Sequence, residues 1–238
     1  WFAHIPGIRV LAPATLEDEL RLLDAEAPLL PAPVVTGRAR VLLARLERTR
    51  PDGDRGLDEA RARLARILRS AGSLEAAEKL LHTVLASATA RFGSEHLSVA
   101  DGRYRLARHY LHVGRLPEAE AEASAAIEIA SGKLDLDHPD LAAMHLLLGQ
   151  VQTQRGRSDL SIPNFERYVT AARALQREPS LMLIQAVHRL GLARLQLGEV
   201  EAARELLEEA ERLTREHGGV GLALRADLLE SFGMLRSW

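Results

Sequence analysis

Four glycines, Gly72, Gly114, Gly156 and Gly198, recur at intervals of 42 residues, each between one helical pattern and the next: AGSLEAAEKLL, VGRLPEAEAEA, RGRSDLSIPNF and LGEVEAARELL. A fixed period kept across most of a 238-residue chain restricts the fold to stacked copies of one supersecondary unit. Small residues keep the same period at Ala65, Ala107, Gly149, Gly191 and Gly233, preceded by Leu64, Leu106, Leu148, Leu190 and Phe232. A small residue beside a large apolar one lets a neighbouring backbone come close. The glycine seven positions later ends the helix, because a left-handed backbone costs glycine little. The chain then turns back. Ala77, Ala119, Ser161 and Ala203 lie four positions before Leu81, Ala123, Phe165 and Leu207, on one face of a second helix, with Ala123 breaking the bulky series. One period before Leu64 stands Leu22, so the array is expected to start before residue 30. LLESFGMLRSW stops while its helical pattern is still running, and with Trp1 in place of a methionine the chain reads as a piece of a longer protein.

Composition agrees with helices. Hydrophobic residues make up 47%, charged residues 27% and aromatic residues 4%, with Ala, Leu, Glu and Arg, all strong helix formers, prominent. The pattern resembles the tetratricopeptide repeat, whose usual unit is about 34 residues. The 42-residue form, with a longer second helix and links such as EHLSVA (95–100) and DHPDLA (137–142), is similar to the repeats of kinesin light chain and of many bacterial signalling proteins. The resemblance covers residues 16 to 236, although the family's aromatic positions are mostly Leu, Ala or Arg here. It implies an all-α fold, a right-handed superhelical solenoid of antiparallel helix pairs. Residues 16–238 would hold about five pairs and a truncated final helix, after an irregular lead or linker at 1–15. PAP at 31–33 and PDGDRG at 51–56 then fall at helix boundaries within one domain. Only Lys79 and Lys133 of the 31 basic residues are lysine, which points to a GC-rich, bacterial coding sequence.

Several function classes lose ground. A formal charge of -2 and scarce aromatics argue against nucleic acid as the partner. No cysteine is present to form a disulfide or a thiolate metal site, no apolar run is long enough to cross a bilayer, and WFAHIPGIRVLAPA lacks a secretory pattern. The expected location is the cytoplasm. His96 and His138 occupy equivalent links one repeat apart, so they are not expected to share a metal. HYLH at 109–112 lacks the glutamate of a zinc-protease motif, and GGVGLA at 218–223 falls in an inter-repeat link without a preceding strand. Neither a G-x-S-x-G elbow nor a phosphate-binding G-x-x-x-x-G-K-[ST] loop occurs, and the carboxylates of EAEAEAS and LLEEAERL follow solvated helix faces. The expectation is a protein without catalytic residues, cofactor or metal.

What remains is a groove. In the family, the first helix of each pair lines a concave face that holds peptides or protein segments. The resemblance places Glu59, Arg63 and Arg66, then Asp101, Arg105 and Arg108, on that face. Arg21, Arg63, Arg105 and Arg189 share one phase, which Leu147 interrupts. Stacked guanidiniums suit an acidic peptide or a terminal carboxylate. Yet Glu17, Glu59 and Asp101 each stand four residues before Arg21, Arg63 and Arg105, the spacing of a local ion pair. Arg66, Arg69 and Arg108 have no acid three or four positions away and are the first candidates for binding a partner. Tyr104, His112, Gln150, His188 and Leu192 are expected on the same face. A self-associating array, an intramolecular partner domain and a sensor that takes a small effector or peptide are the competing readings.

Overall fold

The computed structural model describes residues 15–51, 54–175, 180–217 and 222–236, and every regular element among them is helical. The helices are α1 (Leu16–Glu26), α2 (Ala32–Thr49), α3 (Arg55–Ser70), α4 (Leu74–Phe92), α5 (Leu97–His112), α6 (Leu116–Ser131), α7 (Pro139–Gln154), α8 (Ser158–Leu175), α9 (Leu181–Gln196), α10 (Val200–His217) and α11 (Leu222–Arg236). They form five helix pairs and a last single helix. The lead expected at 1–15 lies outside the described residues except for Thr15, and so do residues 52 and 53 of PDGDRG and residues 218–221 of the link expected at 218–223, whose last two residues instead begin α11.

The 42-residue clock sets the helix boundaries. First helices α3, α5, α7 and α9 begin at Arg55, Leu97, Pro139 and Leu181, and each is 16 residues long. Second helices α4, α6, α8 and α10 begin at Leu74, Leu116, Ser158 and Val200. The turn inside each of these pairs is a Schellman motif. Its glycine has φ between 71° and 82°. The next residue's N–H reaches back five positions, as in Ser73 to Leu68 O at 2.8 Å and Arg157 to Gln152 O at 2.9 Å. The first pair turns differently, through a short 3-10 segment, Ala27–Leu29, and an extended Leu30 that leads into Pro31.

The link residues have a role that the periodicity alone did not reveal. Asp54, His96, His138 and Ser180 stand one period apart, and each caps the helix that follows. Asp54 Oδ1 accepts from Leu57 N at 2.9 Å, His96 Nδ1 from Ser98 N at 3.1 Å, His138 Nδ1 from Asp140 N at 3.2 Å and Ser180 Oγ from Leu183 N at 3.1 Å. An imidazole nitrogen here replaces the usual oxygen in satisfying an orphan backbone donor. Pro139, at the first helical position, has no N–H that needs a partner.

The chain divides into two compact units, residues 1–109 and 110–238, with the division inside α5. In the first unit Leu20, Leu23, Leu57, Leu64 and Ile67 are fully buried. In the second, Phe165, Leu141, Ile184 and Leu207 are fully buried. Phe165 explains the small residue at 149: a Cβ added to Gly149 would lie 2.9 Å from the Phe165 ring, so α7 and α8 close to a distance that only glycine allows. No described helix is long and apolar enough to cross a membrane.

Candidate functional site

The candidate face belongs to the first unit and is built on α3 and α5. Leu64, Ile67 and Leu68 take the buried side of α3, which leaves Arg63, Arg66 and Arg69 on successive turns of its other side. From α5 come the half-buried Tyr104 and Arg105 and the exposed Arg108.

Three of the five arginines are neutralised within the unit. Arg105 Nε lies 2.7 Å from Asp101 Oδ2, the local pair expected from the spacing. Arg63 Nη1 donates to Glu17 Oε1 on α1 at 2.5 Å, and the same carboxylate oxygen lies 3.6 Å from Arg21 Nε. Arg66 corrects the sequence reading. Although no acid stands within a helical turn of it, its Nη2 is paired with Asp24 Oδ2 of α1, 42 residues earlier. Asp24 holds the same repeat position as Arg66, so stacking one unit on the next brings the two together.

Arg69 and Arg108 remain without a carboxylate at ion-pair distance among the described residues. Burial, first, and the positive charges of Arg108 and Arg66 push the Arg69 guanidinium below its ordinary value. The Arg108 guanidinium sits over the Tyr104 ring, 5.7 Å from its centroid, a cation–π contact. Burial raises the Tyr104 phenol, and the nearby Arg108 opposes that rise. Beside this cluster is a cleft of about 420 Å³ lined by Leu20, Arg50, Glu59, Arg63, Arg66 and Arg105, among others. Chemically, the face offers one half-buried and one exposed guanidinium fork beside an aromatic ring.

The remaining expected residues do not join this cluster. His112 is exposed at the end of α5, while Gln150 on α7 and Leu192 on α9 are half-buried in the second unit. His188 is corrected outright. It is buried, with Nε2 2.7 Å from Ser231 Oγ on α11. Since the Ser231 hydroxyl donates to Asp227 O at 2.7 Å, the histidine nitrogen is the donor, and the ring is a contact between α9 and α11.

Sequence reasoning missed a polar chain in the second unit. Arg155 and Arg157 both donate to the nearly buried Glu120, Arg157 at 2.9 and 3.1 Å. Gln152 Nε2 lies 3.5 Å from Glu120 Oε1, Asn164 Nδ2 donates to Gln152 Oε1 at 2.9 Å, and His145 Nδ1 is 2.7 Å from Asn164 Oδ1. Burial lowers the His145 pKa against the opposing Asn164 contact. These residues stand on α6, α7, α8 and the turn between the last two, so no spacing within one helix announces them. Among the described residues no group of three His, Asp or Glu side chains could hold a metal ion.

Three family models described as tetratricopeptide repeat match residues 62–133, 99–174 and 184–217, together more than half of the chain. No curated protein matches. Among solved structures, kinesin light chain TPR-like repeats from Podosopora anserina are similar at 21% identity and a TM-score of 0.68, over 88% of this chain and 99% of that one. BtubC (BKLC) from P. vanneervenii is similar at 19% identity and a TM-score of 0.74, over 88% and 83%. Aspartyl phosphate phosphatase F from Bacillus subtilis is similar at 12% identity and a TM-score of 0.72, over 93% of this chain and 60% of that one. At these identities the likeness is one of fold.

Proposed function

From the premise that this chain belongs to the tetratricopeptide-repeat family, whose members bind proteins or peptides, we propose that it is a non-catalytic interaction module whose first unit takes an acidic peptide segment or a terminal carboxylate. Its setting is a larger bacterial signalling or regulatory protein. The observation that carries this reading is the pair Arg69 and Arg108: burial and the charge of Arg108 push the Arg69 guanidinium below its ordinary value, and neither arginine has a carboxylate at ion-pair distance among the described residues. An arriving carboxylate relieves that repulsion and receives a bidentate fork, while Tyr104 offers a ring to an apolar or aromatic neighbour on the peptide. Arg66 and Arg63, already held by Asp24 and Glu17, form a rim rather than the anchor.

The test is enrichment from a library of acidic, aromatic-containing peptides, comparing the parent chain with an Arg69→Ala, Arg108→Ala variant of equal helicity. Charge-assisted hydrogen bonds of this kind contribute about 1.5–3 kcal/mol, so loss of one should weaken binding roughly 10- to 100-fold. Enrichment that survives both substitutions moves the peptide elsewhere. No enrichment at all, together with a size that grows with concentration, favours the self-associating array.

A further inference from the structure

One groove occurs in each unit at the same repeat positions, with its charges reversed. In the first unit α2 and α4 each pack on α3, and between them lies a groove of about 390 Å³. Its floor carries Leu43 from α2, Leu68 from α3 and Leu80 from α4, and Arg40, Glu47 and Lys79 stand on its walls. Three periods later, α8 and α10 pack on α9 and border a groove of about 380 Å³, with Val169, Arg194 and Leu206 at the phases of Leu43, Leu68 and Leu80. There Glu166, Arg173 and Glu205 replace Arg40, Glu47 and Lys79, so all three wall charges change sign.

The floor position held by Leu68 in one groove and Arg194 in the other decides which is closed. Arg194 donates to Glu166 on α8 and to Glu199 in the turn before α10, and Arg173 is paired with Glu209 at 2.7 Å. Leu68 offers no charge. Arg40 and Lys79 are exposed and have no carboxylate at ion-pair distance among the described residues. Glu47 is already held by Arg61 at 2.9 Å. The hydroxyls are used within the unit as well: Thr36 Oγ1 donates to Ala32 O at 2.8 Å and Thr83 Oγ1 to Lys79 O at 3.0 Å. What the groove leaves for a partner is an apolar strip with one unpaired cation on each wall.

We propose that the α2–α4 groove docks an acidic amphipathic helix of a partner protein, with its apolar face on Leu43, Leu68 and Leu80 and its carboxylates on Arg40 and Lys79. A helix is the form that matches, because it presents an apolar stripe with charged positions on both flanks, whereas a strand sends alternate residues to opposite faces. From Thr36 to Glu47 the α2 wall rises about 16 Å, roughly three turns of a docked helix. The groove between α8 and α10, with opposite wall charges and Arg194 spanning it, refuses the same helix. The site is separate from the face on α3 and α5 and does not depend on it.

The probe is a fluorescein-labelled peptide of about 14 residues with leucine at i, i+3, i+4 and i+7 and glutamate on both sides of that stripe, beside a twin with lysine for glutamate. Fluorescence anisotropy is read on the full chain carrying Arg69→Ala and Arg108→Ala, so that the face on α3 and α5 does not hold the probe. The acidic peptide should bind at least about 10-fold tighter than its twin. Arg40→Glu with Lys79→Glu, at exposed positions and with helicity checked by circular dichroism, copies the signs of Glu166 and Glu205. It should weaken the acidic peptide about 10-fold and strengthen the basic twin. Absence of binding by the acidic peptide, equal binding of both peptides, or binding indifferent to the charge reversal overturns the inference. So does a chain whose size grows with concentration until the reversal is introduced, because the groove then belongs to a second copy.

Discussion

The first unit and the second use the same repeat register for opposite electrostatic ends. On α3 and α5, the charge of Arg108 helps to lower the half-buried Arg69, and neither has a carboxylate at ion-pair distance among the described residues. On α6 to α8, two arginines converge on one carboxylate, and the polar chain continues through Gln152 and Asn164 to His145. At the phase of Arg66 and Arg108 the second unit carries Gln150 and Leu192, and at the phase of Arg69 it carries Thr153 and Leu195. One backbone plan therefore tolerates an uncompensated basic face in one half and an internally satisfied network in the other. An open electrostatic demand is what a binding surface keeps; a closed one holds helices in register.

The comparison can be broken most forcefully through the second core. Phe165→Ala empties the volume that Gly149 accommodates and should destabilise the protein by about 3–5 kcal/mol, read as a lower urea midpoint. Peptide binding by the first unit should survive at denaturant concentrations where that unit remains folded. Simultaneous loss of binding would show that the two halves do not act separately.

Acid should also strike the second unit. Burial holds His145 and His188 below the usual histidine range, so the folded protein keeps both neutral while the unfolded chain takes up protons once the pH falls below about 6.5. Their contribution to stability is whole above that pH and is lost as the pH falls through the lower folded-state values. Urea midpoints at pH 7.5 and pH 5 should reveal the slope, and His188→Asn should flatten it whatever its effect at neutral pH. Smallest of all is the expected stability change for Arg69→Ala with Arg108→Ala. It should stay within about 0.5 kcal/mol, because the pair has no carboxylate to lose and its mutual repulsion disappears. A large loss would mean that the basic face is part of the scaffold.

The fold was legible because the period fixes helix starts as well as turns: Arg55, Leu97, Pro139 and Leu181 fall on one clock. The site was only half legible. Asp101 and Arg105 share a helix, and their spacing announced the pair. Asp24 and Arg66 stand on different helices, and neighbour-counting along one helix overlooked them although their separation is one repeat. The same blindness hid Glu120, reached by arginines 35 and 37 residues later. His188 was misplaced because the resemblance assigns a face to a repeat position, whereas α11 covers that position here.

Gly149 and the turn glycines are needed for different reasons, and the difference governs how such a sequence can drift. At Gly149 any side chain collides with Phe165, whereas at Gly72, Gly114 and Gly156 a Cβ would meet nothing within 4 Å and only the left-handed backbone disfavours it. A turn can therefore surrender its glycine, to asparagine or to a rebuilt loop, while the helices on either side stay where they are. The first pair shows the same arrangement without the glycine: Leu30 stands where the glycine clock strikes, yet α2 still begins one period before α4. The family matches start only at residue 62, beyond that pair. Architecture in this lineage can outlive the letters by which it is recognised.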